Sequence, residues 1–246
     1  MKMERNPVES IMQNEMMHRP IVKPELLNFM RTKQKPLMGE IGKIEEEAHK
    51  DGIPIIPHET VVFLQFFLKQ LKPKNILEVG TAIGFSSSLM AQLIEKNGHV
   101  TTIDRYDLMI KKAQQTYKRL GLTEKITLLE GQAAEILPTL TETYDFIFMD
   151  SAKAKYIEFL PECLRLLPIG GILMVDDIFQ GGTILETKDK ISRGNRAIHR
   201  NLNRFLEVVM HHPDLTSTLL PLGDGLILIT KDKESIQISE KDNNEK

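Results

Sequence analysis

The chain is poor in several things at once, and each shortage removes a class of protein. A single cysteine, Cys163, excludes a disulfide within the chain. It sits among Leu160, Leu164 and Leu167 in a helical stretch and reads as a core thiol. No run approaches the ~18 apolar residues of a membrane span, so no membrane contact is expected. The early charges Lys2, Glu4, Arg5 and Glu9 have no apolar segment behind them, which argues against a secretory signal and leads us to expect a cytoplasmic location. Positive charge is not in excess either. With a formal net charge of -2, any contact with nucleic acid must come from local patches. There is no G-x-G-x-x-G turn and no internal repeat.

What is present is an alternation. The 246 residues suit one α/β domain with additions. Residues 1–21, polar and Met-rich with Pro7 and Pro20 as breakers, read as a flexible arm. Residues 23–50 read as two helices parted near Pro36, followed by an extended connector, Gly52-Ile-Pro-Ile-Ile-Pro57. A helix from His58 to Leu71 leads into strands near 76–79, 99–103, 126–129, 144–149 and 170–176. Helical stretches near 85–96, 107–120, 132–139 and 154–167 separate them. This rhythm predicts a parallel sheet covered on both faces. A helix near 193–210 and strands near 216–221 and 225–230, joined at Gly223-Asp224-Gly225, predict an antiparallel hairpin closing the sheet. The polar residues 232–246 read as a disordered tail.

The most informative stretch is Ile76-Leu-Glu-Val-Gly-Thr-Ala-Ile-Gly-Phe-Ser-Ser-Ser88, a buried strand that ends in a glycine turn beside a helix start. Its G-x-x-x-G spacing does not favour a pyrophosphate, and Glu78 in the strand suits a cationic ligand. Ligands of such sheets gather at the carboxyl ends of the strands. There stand Asp104, suited to a ribose diol or to capping the next helix, and Glu130-Gly-Gln-Ala-Ala134, suited to an adenine ring or to a plain turn. Asp150 and the pair Asp176-Asp177 end the fourth and fifth strands. Three carboxylates at one point repel unless a cation joins them, and oxygen donors suit Mg²⁺, Ca²⁺ or Mn²⁺. The plainer alternative is that Asp150 caps a helix and the pair merely closes a strand. Lys153 could neutralise the cluster or reach a substrate hydroxyl.

Together these residues resemble the magnesium-dependent O-methyltransferases of the catechol and caffeoyl-CoA type, which use S-adenosylmethionine, over about Gly52 to Lys231. The resemblance implies a class I methyltransferase Rossmann-like fold: a mostly parallel seven-stranded sheet, a C-terminal antiparallel hairpin and extra N-terminal helices. A single domain would span 22–231, helical to 72 and Rossmann-like from 73. It further implies a cofactor site of Ile56, Gly80, Ala82, Gly84, Ser86, Asp104, Gln132, Ala133 and Asp150. The implied metal ligands are Asp150, Asp176 and Asp177, with Lys153 as base. The catechol branch has Asn where Asp177 stands. The segment Ser192 to Phe205, the Asp-Ser-Ala-Lys153 run and the paired Asp are more similar to bacterial tRNA 5-hydroxyuridine methyltransferases, which make 5-methoxyuridine at the wobble position. Lys188, Lys190, Arg193, Arg196, Arg200 and Arg204, with Asp189 the only acid among them, would then meet phosphates of a tRNA anticodon loop. A second basic cluster comprises Arg19, Lys23, Arg31, Lys33 and Lys35. A solvated helix face is the competing reading of either run. Relatives of this type suggest a homodimer.

Overall fold

The computed structural model describes residues 22–238. Its centre is a seven-stranded sheet in the order β3-β2-β1-β4-β5-β7-β6. The strands are β1 (Asn75–Val79), β2 (His99–Asp104), β3 (Ile126–Glu130), β4 (Phe146–Met149), β5 (Ile172–Val175), β6 (Leu215–Leu220) and β7 (Leu226–Lys231). The first five run parallel, and β7 is antiparallel to both β5 and β6. The seven-stranded, class I methyltransferase architecture expected from the sequence is therefore the one observed.

Period-two alternation divides the apolar strand residues between two cores. Ile76, Phe146, Phe148 and Met174 face α3 (His58–Leu71) and α4 (Phe85–Leu93), with α2 (Gly39–Lys50) and α5 (Asp107–Leu120) beside them. Leu77, Val79, Ile147 and Met149 face α7 (Tyr156–Leu166) and α8 (Arg196–His211) on the other side. Both faces being covered, the central strands read as nearly unbroken apolar runs. The outermost helix, α1 (Pro24–Lys33), buries none of its residues fully; its Arg31 guanidinium grips the buried Glu59 of α3 at 2.8 and 3.0 Å.

Several boundaries differ from the sequence reading for local reasons. The helix expected over 85–96 stops at Leu93, where Ile94 turns extended ahead of the Asn97-Gly98 turn. The stretch 132–139 is a short α6 (Ala133–Ile136) running into a 3-10 turn, Leu137–Thr139, that contains Pro138. The stretch 154–167 begins as a 3-10 turn, Lys153–Lys155, before α7. Of the tail read as disordered from 232, the described residues 232–238 form no helix or strand beyond the end of β7, though Ile236 and Ile238 pack on the core and His212 Nε2 lies 3.3 Å from the Gln237 carbonyl. The arm 1–21 and residues 239–246 lie outside the described residues.

Candidate active site

In the order β3-β2-β1-β4-β5 the chain reverses direction between β1 and β4, and the crevice outside their carboxyl ends is where such sheets bind ligands. Gly80 ends β1 and Asp150 follows β4 there, so close that a Cβ on Gly80 would lie 1.9 Å from the Asp150 carbonyl oxygen. Its φ of +104° is also one that side chains disfavour. Only glycine lets the two strand ends meet. Above this contact opens a shallow recess lined by Ile56, Gly80, Ala82, Ser86 and Asp150 among others. Five of the expected cofactor residues thus share one cleft. Gly84 starts α4 behind them.

Asp104 lies just beyond, and its carboxylate is heavily used. Oδ2 accepts from the amides of Thr81 (3.1 Å) and Ala82 (3.0 Å), and Oδ1 accepts from those of Arg105 (2.7 Å) and Tyr106 (2.9 Å). A carboxylate has about four lone-pair sites. Asp104 therefore spends them shaping the glycine turn and the entry to α5, and a ribose diol would have to share them. The cap position of that helix is Tyr106, and Asp107 is its first residue. Gln132 is exposed, takes a hydrogen bond from Arg105 Nη1 at 3.1 Å, and adjoins the half-buried Ala133.

Glu78 is fully buried on the α4 side of β1. Ser86 Oγ donates to its Oε1 and Thr102 Oγ1 to its Oε2, both at 2.5 Å. Burial, reinforced by the nearby Asp150, pushes its carboxyl up to about 8 against the pull of these hydroxyls. Burial thus favours the protonated form of this carboxyl in the folded chain.

Across the crevice the β4–β5–β7 side gathers acids. Asp176 is 2% exposed, and its Oδ1 accepts the Asp177 amide at 2.7 Å. Asp177 takes a left-handed φ of 60°, costly for a non-glycine residue. Its Oδ2 lies 2.9 Å from Lys153 Nζ. Asp150 does not cap the following 3-10 turn, whose cap position is Ala152. Burial, and then repulsion from Asp177, raises the Asp150 carboxyl to about 7, while Lys153 lowers it. The same causes, with Asp150 added, hold Asp176 well above the ordinary carboxylate range. A fourth acid, Asp224, was read in the sequence only as part of a hairpin turn. It is buried, is raised to about 6 by burial and by Asp177, and stands 3.8 Å from Lys153 Nζ. Tyr156, also unmarked by any motif, donates to the Asp176 carbonyl at 3.2 Å beneath the cluster. As drawn together here, with Lys153 holding Asp177, no three His, Cys, Asp or Glu among the described residues stand in a metal-ligating arrangement. The donor set is nonetheless the all-oxygen, excess-negative kind that suits a hard divalent cation.

The basic segment rises from the same edge. Between β5 and α8 it carries exposed Lys188, Lys190 and Arg193, and Arg196 and Arg200 follow on the first turns of α8. Asn201 of that helix ties it to the Ala154 carbonyl at 2.8 Å, next to Lys153. Lys190 pairs with Glu186 at 3.1 Å, and Arg204 is half-buried with its Nε enclosed, which sets it apart from the other five. In the second basic cluster Arg31 is neutralised by Glu59, while Lys23, Lys33 and Lys35 are exposed. Arg19 lies outside the described residues. Among those residues no helix is long and apolar enough to cross a membrane.

Known proteins resemble this chain in sequence and in fold. The sequence profile of the O-methyltransferase family covers residues 31–232. A caffeoyl-CoA O-methyltransferase of Populus trichocarpa is 30% identical over 185 residues, 70% of this chain and 72% of the relative. A catechol O-methyltransferase of Niastella koreensis is 34% identical over 144 residues, 57% of this chain and 65% of the relative. In fold, an O-methyltransferase from Bacillus cereus in complex with SAH superposes with a TM-score of 0.73 at 22% identity, covering 84% of this chain and 97% of the other. With a family profile spanning most of its length and the crevice built as described, the chain belongs to the O-methyltransferase family.

Proposed function

We propose that this protein moves a methyl group from S-adenosylmethionine to the 5-hydroxyl of 5-hydroxyuridine at the tRNA wobble position, with a divalent cation, magnesium first, held by Asp150, Asp176 and Asp177. The observation that carries this reading is the meeting, on one sheet edge, of the glycine-turn recess, the acid cluster around Lys153, and five exposed cations from Lys188 to Arg200. The B. cereus relative, solved with SAH, supports the choice of methyl donor.

A bound divalent cation would supply charge compensation and lower the pKa of an acceptor hydroxyl. The chain's own residues do the rest. Gly80, Ala82 and Ser86 hold the amino-acid end of the donor in the recess, and Gln132 and Ala133 border its adenine. Lys153 takes the hydroxyl proton as a free amine or, as an ammonium, steadies the anion. Arg193, Arg196 and Arg200 bind backbone phosphates, and an unstacked loop base is the form of uridine that reaches a crevice of this kind.

The second reading, a catechol-like phenol as acceptor, draws on the activities named for the Niastella and Populus relatives. One experiment separates the two. tRNA from a strain lacking the protein is incubated with enzyme, magnesium and S-adenosylmethionine beside a phenol panel, and its nucleosides are analysed by mass spectrometry. The tRNA reading expects 5-hydroxyuridine to fall as 5-methoxyuridine rises. Inert tRNA beside a methylated phenol would overturn it. Replacing Arg193, Arg196 and Arg200 by alanine should also flatten the salt dependence of tRNA binding, by roughly 0.7–0.9 in log-log slope per lost phosphate contact, and leave phenol turnover alone.

A further inference from the structure

The Gly223-Asp224-Gly225 turn has more to do than close a hairpin. A hairpin tip needs no buried acid, yet Asp224 is 4% exposed. Both of its carboxylate oxygens lie 2.8 Å from the amide of Gly181, 43 residues earlier in the chain. Its carbonyl accepts the Phe179 amide at 2.9 Å, and the Gly225 carbonyl accepts the Ile178 amide at 3.1 Å. The Phe179 ring fills the space a Cβ on Gly225 would need, with a ring carbon 1.9 Å from that point. The turn therefore grips Ile178, Phe179 and Gly181 of the segment that follows Asp176.

That segment needs gripping. Asp177 and Gln180 sit at φ 60° and 50°, and Gly181 and Gly182 at 63° and 82°. Non-glycine residues in this region cost of order 1–3 kcal/mol each and persist only where the surroundings enforce them. The enforcing contacts come from Asp224 and its neighbours. The same carboxylate also faces Lys153: Nζ lies 2.9 Å from Asp177 Oδ2 and 3.8 Å from Asp224 Oδ2, held between two acids brought in by separate loops.

We infer that Asp224 is a positioning residue for the acceptor end of the site, fixing Asp177 through the Gly181 amide and aiming Lys153 by sharing its ammonium. This rests on the reading of Asp177 and Lys153 given under the proposed function. Asp224 does not line the recess proposed for the donor. With the carboxylate gone, Lys153 keeps one partner and swings toward Asp177 alone, while a buried amide loses its acceptor.

The test uses the full chain and two variants. Asp224→Asn is nearly isosteric and can still accept from Gly181 but cannot hold Lys153, and Asp224→Ala can do neither. Two readouts are compared: the rate of reductive methylation of Lys153 relative to the other lysines, by peptide mass spectrometry, and kcat against KM on the accepted substrate. Lys153 should label several-fold faster in Asp224→Asn and faster again in Asp224→Ala. A positioning error of about 1 Å costs roughly 100-fold, so kcat should fall by about that factor while KM and the affinity for SAH hold. Unchanged relative labelling of Lys153 in Asp224→Asn overturns the assignment, as does an unchanged kcat. A parallel loss of SAH affinity and melting temperature without selective Lys153 labelling overturns it too, since that marks a purely structural residue. Failure of the proposed function shows differently, as wild-type protein inert toward tRNA and phenols alike. The labelling contrast decides in that case as well.

Discussion

The two halves of the crevice handle buried acid in opposite ways. On the β1–β2 side, Asp104 is met by four backbone amides and Glu78 by two hydroxyls, each partner supplied by the chain itself. On the β4–β5–β7 side, Asp150, Asp176, Asp177 and Asp224 crowd around one ammonium, and three of them are pushed upward by burial and mutual repulsion. The first half is complete as folded. The second is short of positive charge. A preformed pocket suits a constant ligand such as a methyl donor, whereas a frustrated acid cluster is what a cation would relieve.

The largest effect should come from breaking the second half. Asp176→Ala, or chelation of wild-type protein, should cut turnover by about 10²–10⁴-fold, the several kcal/mol that Lewis-acid stabilisation is worth. SAH affinity should survive, because Asp176 does not line the recess. Added magnesium should raise the melting temperature of wild type and leave that of Asp176→Ala unmoved. Turnover that persists through exhaustive chelation would remove the contrast between the halves.

A smaller effect is expected at the seam. Gly80→Ala places a Cβ 1.9 Å from the Asp150 carbonyl oxygen and demands a positive φ. A cost of about 3 kcal/mol is expected from backbone strain and overpacking, read by urea denaturation, together with weaker SAH binding by calorimetry. Full stability and affinity would mean that the strand ends have room to part.

The seam was also the most legible part of the chain. A buried strand running into G-x-x-x-G is a local signal, and so are the acids that end strands, because strand ends converge once the topology is known. Asp150, Asp176 and Asp177 could therefore be placed at one edge from their positions alone. Asp224 and Tyr156 could not. Their roles depend on which loop lies against which across dozens of residues, and a turn acid looks the same whether it faces solvent or a buried amide. Boundaries failed for a related reason: Pro138 stops α6 short of 139, and Ile236 and Ile238 pack on the core from a stretch that composition reads only as polar. Glu78 was legible as an acid at the strand end, but its full burial and its two hydroxyl partners were not.

Glu78 gives the smallest effect on turnover and the finest test of the comparison. Its carboxyl stands at about 8 in the folded protein against 4.5 as its ordinary value. The folded state thus holds a proton over a range where the unfolded chain has released it, so the associated stability is complete below the unfolded value and lost as pH rises through about 8. Glu78→Gln cannot ionise. Its melting temperature should track that of wild type at low pH, exceed it increasingly from about pH 5 to about pH 8 and by a constant margin above, with turnover near neutral pH little changed, because Gln still accepts from Ser86 or Thr102. The difference between the two curves isolates Glu78, since the acids of the other half titrate in both proteins. Curves that stay parallel from pH 5 to 9 would mean that Glu78 is already ionised in the folded protein, and that the β1 side carries the same unrelieved charge as the β4–β5 side.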